Sequence, residues 1–178
     1  MKITKLFLTG CLVTGALFFA ACSDDDDDID NPIISEEDRS FMVQVSYGNI
    51  AEVEMGRVAD SISANGGVRM FGQMMVQDHT TAQEEMADLG DIWEVDLPQQ
   101  PDSAHMAMKQ RLQTLSGYTF DTAYINGQIK DHQHTIALLE SMAGSADLQQ
   151  LRDYASKYLP KVRMHLEKAD SIKLTLQE

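Results

Sequence analysis

The chain has 178 residues and a formal net charge of −14 at pH 7, with 28 acidic residues against 14 basic ones. A surface this acidic repels nucleic acid and anionic lipid headgroups, so we expect no nucleic-acid partner. Both cysteines, Cys11 and Cys22, lie near the start of the chain, and no thiol pair remains to crosslink the rest. The residues from 35 onward are numerous enough to form one domain with a substantial core.

The first 21 residues have the pattern of a secretory signal peptide. Two lysines precede an apolar run from Leu6 to Ala21, which is shorter than the roughly 20 apolar residues of a bilayer-spanning helix. The segment Phe19-Ala20-Ala21-Cys22 resembles the bacterial lipobox, in which the cysteine is acylated and becomes the new amino terminus. We therefore predict that residues 1–21 are a lipoprotein signal peptide and that Cys22 is the lipidated residue.

Residues 22–34 are predicted to be a lipidated acidic tether. The five adjacent aspartates from Asp24 to Asp28 repel one another and cannot pack against a core. Together with Ser23 they resemble the acidic export signal of surface lipoproteins of the Bacteroidetes. Acyl chains on Cys22 would anchor the chain, since each buried methylene contributes roughly 0.8 kcal/mol. We expect an outer-membrane lipoprotein of the cell envelope. If the aspartates are an export signal, the domain should be surface-exposed. If they are not, they form a spacer between the lipid anchor and the domain.

The first helix is predicted over residues 36–64. From Ser35 onward apolar residues recur at spacings of three and four, which indicates helices and no strand. Ser35 and Asp38 form a capping-box pattern, and Asn65-Gly66-Gly67 is expected to end the helix through backbone conformations that other residues avoid. Its inner face carries Phe41, Val45, Gly48, Glu52, Met55, Ala59 and Ile62.

A second helix is predicted from about Val68 to Gly90, with His79 within its apolar stripe. The next segment, Asp91 to Gln100, mixes apolar residues with proline and is expected to be a loop. A short helix from Asp102 to Ser116 follows, with Gly117 as its terminator. A connection of this length can run the length of a bundle, so the two helices that it joins should be parallel.

Two further helices complete the predicted fold. One begins at Phe120 or Asp121 and ends at Gly144, and the last begins near Asp147. Pro160 lies inside the last helix and should kink it without dividing it. The expected fold of residues 35–178 is therefore all-α: a four-helix bundle with a long crossover connection that contains one short extra helix.

The inner stripes of the four long helices carry a set of polar residues that are candidate metal ligands. Three stripes carry His79, His132 and His165, and the remaining one carries Glu52. Imidazole and carboxylate groups on facing helices can converge on one transition-metal ion in a bundle core. Straight helices place Glu52 and His79 level but separate His132 and His165 in depth by about 10 Å, so these positions do not by themselves establish a single four-residue site.

A hydrogen-bonded core is the alternative interpretation of these residues. An unpaired buried polar group costs roughly 1 to 3 kcal/mol, so each inward histidine needs a partner. The candidate supporting partners are Asp78, Asp121 and Tyr124, with Tyr158.

Other catalytic patterns are weak. A di-iron site would place glutamate three residues before the stripe histidines, where this chain has Val76, Ile129 and Val162. Asp102 with His105 and Asp131 with His134 have that spacing, but both pairs are expected to face solvent. The chain has neither a nucleophile elbow nor a phosphate loop. The sequence therefore favours a binding module over an enzyme.

Four segments taken in order carry a family resemblance. They are Gly48 to Gly56, Met75 to His79, Phe120 to Tyr124 followed by His132, and Leu159-Pro160 followed by His165. Together they are similar to the bacterial domain of unknown function 4142. The resemblance implies a ferritin-like helical bundle, usually exported, without a settled activity. It places the following residues at motif positions without giving them a catalytic role: Glu52, Asp78, His79, Asp121, Tyr124, His132 and His165.

Two functional hypotheses follow. The first is an envelope lipoprotein whose bundle serves as a binding or envelope-stress module, with the membrane as the one expected partner. The second is a metal-binding or metal-dependent redox protein, with a transition-metal ion as cofactor and Glu52, His79, His132 and His165 as ligands. The sequence specifies no protein or small-molecule partner under either hypothesis.

Overall fold

A computed structural model describes residues 34–177. The predicted signal peptide, Cys22 and the acidic tether up to residue 33 lie outside the described residues. Residues 34–177 form five helices and no strand, and none of these helices is long and apolar enough to cross a bilayer. The helices are α1 Glu36–Ile62, α2 Gly66–Ile92, α3 Ser103–Gln113, α4 Gly117–Ser145 and α5 Gln149–Thr175.

The four long helices pack as two hairpins, α1 with α2 and α4 with α5, and α3 lies in the connection between them. Hydrogen bonds tie both ends of the bundle. The Asp38 carboxylate at the start of α1 accepts from the Leu148 backbone N–H before α5 at 2.9 Å. At the other end, the Ser63 hydroxyl after α1 donates to Asp121 near the start of α4 at 2.5 Å. Helix α4 is therefore antiparallel to α1 and parallel to α2, and the all-α bundle with a crossover helix is confirmed.

The expectation that Asn65-Gly66-Gly67 ends α1 through special backbone conformations is wrong. Helix α1 ends at Ile62, and neither glycine has a positive φ. The Asn65 side-chain oxygen instead accepts from the backbone N–H groups of Gly67 and Val68, at 2.8 and 3.2 Å. Asn65 is thus the N-cap of α2, because its side chain satisfies donors that the first helical turn leaves without partners.

Gly117 was expected to end α3, but it begins α4. Helix α3 ends at Gln113, and Gly117 has a φ of 55°, in the left-handed region where a side chain would be strained. Gly90 is likewise not the end of α2, which continues to Ile92. A Cβ atom on Gly90 would lie 2.7 Å from Leu97, so this glycine makes room for the returning loop.

The core consists of two apolar clusters with polar residues between them. The first contains, among others, Phe41, Met42, Met86, Leu139 and Leu151. The second contains, among others, Met55, Phe71, Met75, Phe120 and Ile125. On each long helix, buried polar side chains occupy the positions between the clusters. We call these six the polar layer: Asn49, Glu52, His79, Gln128, His132 and His165.

A pair of glycines lets α1 and α2 approach each other closely beside the polar layer. A Cβ atom on Gly56 would lie 2.6 Å from the Gly72 carbonyl oxygen, and one on Gly72 would lie 2.7 Å from the Gly56 oxygen. Both distances are far below an ordinary van der Waals contact, and both partners are backbone atoms that cannot rotate away. This contact fixes the distance between the helices that carry Asn49 and His79.

Gly72→Ala should therefore destabilise the fold. Replacement of glycine by alanine inside a helix normally stabilises it by up to about 1 kcal/mol, but here overpacking should cost about 1 to 3 kcal/mol. Gly144→Ala is the matched control, since Gly144 also lies in a helix and a Cβ atom there meets nothing within 4 Å. Thermal unfolding should show a lower Tm for Gly72→Ala alone. Equal Tm values for both variants would contradict the close contact.

Candidate functional site

Three histidines from three helices meet in the polar layer. His79 on α2, His132 on α4 and His165 on α5 each offer a ring nitrogen, and these nitrogens all lie within 4.8 Å of one another. The ring centroids are 5.4 to 5.8 Å apart. The three residues are only 6%, 2% and 1% exposed, so solvent does not separate them. We call these three residues the histidine triad.

The depth difference expected between His132 and His165 is therefore wrong. Helix α4 ends at Ser145 and α5 begins at Gln149, which reduces the expected depth difference from about 10 Å to about 5 Å. Side chains also lean toward the N-terminus of their own helix. In an antiparallel pair this lean moves the two rings toward each other, which accounts for much of the remaining gap.

Two of the triad rings are anchored by atoms that can only accept a hydrogen bond. The His132 Nδ1 atom lies 2.9 Å from the backbone carbonyl oxygen of Gln128. The His165 Nε2 atom lies 2.8 Å from the Asp78 carboxylate. Burial raises the pKa of Asp78, but hydrogen bonds from Lys161 and His165 outweigh burial and lower it overall. Each ring must therefore carry its proton on the nitrogen that faces its oxygen partner.

The proton of His79 follows from a chain of three hydrogen bonds. The Tyr154 hydroxyl donates to the carbonyl oxygen of Ala82 at 3.2 Å, so its oxygen accepts from the Asn49 amide N–H at 3.1 Å. This orients the Asn49 side chain, whose oxygen then lies 2.9 Å from His79 Nδ1 and accepts from it. His79 is thus protonated on Nδ1, the nitrogen that faces Asn49, and its Nε2 atom carries the lone pair.

The remaining nitrogen of each ring carries a lone pair and is buried. These atoms are His79 Nε2, His132 Nε2 and His165 Nδ1, and none receives a hydrogen bond from a described residue. A buried acceptor without a donor costs about 1 to 3 kcal/mol. Three such acceptors in one place form an electron-rich cluster to which no described residue donates a hydrogen bond.

The pKa values of the triad favour neutral rings. Burial is the main cause that lowers the pKa of all three, to about 4 for His132 and well below the usual value for His79. Repulsion from other histidines lowers the pKa of His79 and His132 further. The rings therefore stay neutral, the form in which imidazole binds metal.

Glu52, the fourth predicted ligand, lies beside the triad and is not part of the group whose ligand atoms converge. Its Oε1 atom lies 3.8 Å from the protonated Nδ1 of His132, and its Oε2 atom is buried without a partner among the described residues. Burial raises its pKa to about 8, assisted by Asp131 and opposed by a hydrogen bond with Gln128. Glu52 and His132 are therefore both uncharged at neutral pH and do not form an ion pair, despite their proximity.

The three supporting residues predicted from the sequence have different positions. Asp78 bonds a triad ring directly. Asp121 instead accepts from Ser63 after the end of α1, about eleven residues from His132 along α4, so its placement does not make it a partner of the triad. The Tyr124 ring stacks on Phe120, with centroids 6.1 Å apart, and its hydroxyl is buried without a hydrogen bond from the described residues.

A cavity of about 150 Å³ leads to the triad. Glu52, His79 and His132 line its inner part, together with Asn49. The two Asp-x-x-His pairs also line this cavity, which the sequence did not predict. His134 is exposed, as expected, and the other three residues are half-buried.

Asn49 and Gln128 are site residues that the sequence analysis did not identify. Asn49 lies three residues before Glu52 on α1, and Gln128 lies four residues before His132 on α4. Both spacings place them on the inner faces of their helices. The sequence therefore contains the evidence for both, because each is a polar amide residue on an otherwise apolar inner face. The prediction considered only histidine and carboxylate residues on these faces.

In the metal-free protein, Glu52→Gln should remove a pH dependence of stability. Because folding raises the pKa of Glu52 from 4.5 to about 8, the stability from its neutral form is complete below pH 4.5 and is lost as the pH rises toward 8. Glu52→Gln should thus increase the free energy of unfolding at pH 8 by roughly 2 to 5 kcal/mol more than at pH 4.5. Urea denaturation with a chelator present measures both values.

Glu167→Gln is the control for this comparison, since Glu167 is exposed on α5. It should leave the pH dependence of the wild type unchanged. An equal change in the free energy of unfolding at both pH values for Glu52→Gln would contradict the raised pKa of the buried Glu52 carboxyl group.

A family model described as "Domain of unknown function (DUF4142)" matches residues 27–172. Two of the solved structures with a similar fold are DUF305 proteins. A DUF305 fragment from Deinococcus radiodurans matches with a TM-score of 0.71 and 13% identity, over 80% of this chain and 98% of that one. A DUF305 protein from Streptomyces coelicolor, described as secreted, matches with a TM-score of 0.68 and 14% identity, over 79% and 93%. No curated protein sequence is significantly similar to the chain.

Proposed function

Because the chain belongs to the DUF4142 family, a domain of unknown function, its activity has to be inferred from the site, and we propose that it binds a transition-metal ion through His79, His132 and His165. The observation that carries this proposal is the set of three inward lone pairs without a donor. A metal ion accepts these lone pairs, which no described residue satisfies with a hydrogen bond.

The outward hydrogen bonds support the same function. Metal-binding histidines almost always donate their other ring N–H to a carboxylate, carbonyl or water, which fixes the tautomer and the ring orientation. Here the acceptors are Asp78, the Gln128 carbonyl and the Asn49 amide oxygen. A hydrogen-bonded core explains the outward nitrogens, but it leaves the three inward ones unexplained.

The distances fit a metal ion after a small adjustment. Nitrogens at most 4.8 Å apart can all lie within about 2.8 Å of one point, whereas a Zn–N bond is about 2.0 to 2.1 Å long. Each ring would therefore move inward by roughly 0.7 Å, which side-chain rotation can supply. An all-imidazole set favours zinc, copper, nickel or iron over calcium or magnesium. Three protein ligands leave at least one coordination position for another group.

Metal analysis of the untagged protein tests this function. After incubation with Zn²⁺ and dialysis, the wild type should retain about one equivalent and show a higher Tm, because a ligand that binds only the folded state stabilises it. His132→Ala and His165→Ala should each lose the retained zinc and the zinc-dependent rise in Tm. Glu167→Gln, which lies outside the site, should keep both. A wild type that retained no metal after separate incubations with zinc, copper, nickel and iron would overturn the proposal.

We also propose that the protein is an envelope lipoprotein anchored through Cys22. The support is the lipobox-like segment before Cys22, and one protein of similar fold is described as secreted. The proposed role in envelope stress rests on the sequence hypothesis alone, with no structural observation of its own.

Cys22→Ser tests the anchor separately from the metal site. With no thiol to acylate, the variant should not be lipidated and should leave the membrane fraction, because the acyl chains are the proposed anchor. Fractionation with immunoblotting measures this distribution, and Ser23→Ala is the neighbouring control that should remain with the membrane. Membrane retention of Cys22→Ser would contradict lipid anchoring.

A further inference from the structure

We propose that two Asp-x-x-His pairs, Asp102 with His105 and Asp131 with His134, form an entry site that captures a divalent transition-metal ion and passes it to the histidine triad. We call these four residues the entry site. The inference rests on the proposed metal-binding function and deepens it, because it assigns a route to a buried centre.

The first argument is the placement of the histidines. The chain has five histidines in all, and four of them, His79, His105, His132 and His134, line the one cavity of about 150 Å³. The fifth, His165, completes the triad. Every imidazole in the chain therefore belongs either to the cavity or to the centre at its inner end.

The second argument is the geometry of the pair at the start of α3. One carboxylate oxygen of Asp102 accepts from the backbone N–H groups of Ala104 and His105, at 2.8 and 2.9 Å. The other lies 2.8 Å from His105 Nδ1. In its neutral form the ring therefore donates at Nδ1 and keeps a lone pair on Nε2. This is the same carboxylate–histidine arrangement that fixes His165 in the triad.

The third argument is the position of Asp131. Its carboxyl group is half-buried and lines the same cavity as Glu52, His105 and His134. Asp131 directly precedes the triad residue His132 on α4, whereas His134 is exposed. Asp131 thus lies between the cavity mouth and the polar layer, where a carboxylate can hold a cation that is moving inward.

A buried centre needs such a route because a metal ion arrives with bound water. The triad residues are at most 6% exposed, so an ion must exchange its water for protein ligands before it reaches them. Carboxylate and imidazole groups along the cavity allow this exchange to occur in steps. An acidic cleft also raises the local cation concentration, with effects of 10- to 1,000-fold on association rates in other proteins.

The kinetics of Co²⁺ binding to the purified full-length protein test the entry site. Stopped-flow absorbance gives the association and dissociation rates, and equilibrium titration gives Kd. In His105→Gln/His134→Gln, both rates should fall at least about fivefold, while Kd stays within about twofold, because a site on the path speeds entry and exit alike. Neither substituted residue belongs to the triad, and unchanged Tm values would show that the fold is intact.

Asp131→Asn provides a second test that does not alter a histidine. It should slow association by a similar factor, whereas Glu167→Gln, which removes the same charge from exposed α5, should not. Unchanged rates in both cavity variants, or equal slowing by Glu167→Gln, would overturn the entry site while leaving the triad proposal intact. If the wild type bound no Co²⁺ and retained no other transition metal, the proposed function itself would be wrong and the entry site with it.

Discussion

The site depends on one constraint: each triad ring is held from outside by an atom that accepts its N–H. The Asp78 carboxylate and the Gln128 carbonyl cannot donate, and the Asn49 oxygen is fixed by the bonds through Tyr154 to Ala82. These acceptors force all three lone pairs to the inside. The geometry of a metal site is therefore built from hydrogen bonds that themselves involve no metal, and burial keeps the rings neutral and able to bind.

The rest of the fold positions this arrangement. The two apolar clusters supply the burial on which the bundle depends, and they leave the polar layer between them. The contact of Gly56 with Gly72 sets the spacing of the two helices that carry Asn49 and His79. Hydrogen bonds that Asp38 accepts from Leu148 and Asp121 accepts from Ser63 join the two hairpins at opposite ends of the bundle. The packing of the helices and the geometry of the site thus constrain each other. A shift of α4 or α5 along its axis would move the three histidine rings apart.

The sequence predicted the helices and the inward histidines well, because a 3.6-residue period reports directly which face is buried. It could not predict that His132 and His165 meet. A shift of a few residues in the ends of α4 and α5, and the lean of the two side chains, change the relative depth of the rings in the bundle by several ångströms. Nor could it assign the tautomer of His79, because the atoms that decide it lie on α1, α5 and α2. Gly66 and Gly117 were predicted to end helices, but each begins one. Glycine occurs at either end of a helix, and only its contacts with neighbouring residues show which end it occupies.

The most direct test of the account is the protonation of the three rings, observed by long-range ¹H–¹⁵N NMR before and after addition of Zn²⁺. The account predicts neutral rings at pH 7, protonated on Nδ1 in His79 and His132 and on Nε2 in His165, with zinc shifting mainly the opposite nitrogen of each ring. Charged rings, the reverse tautomers, or spectra that zinc leaves unchanged would contradict it.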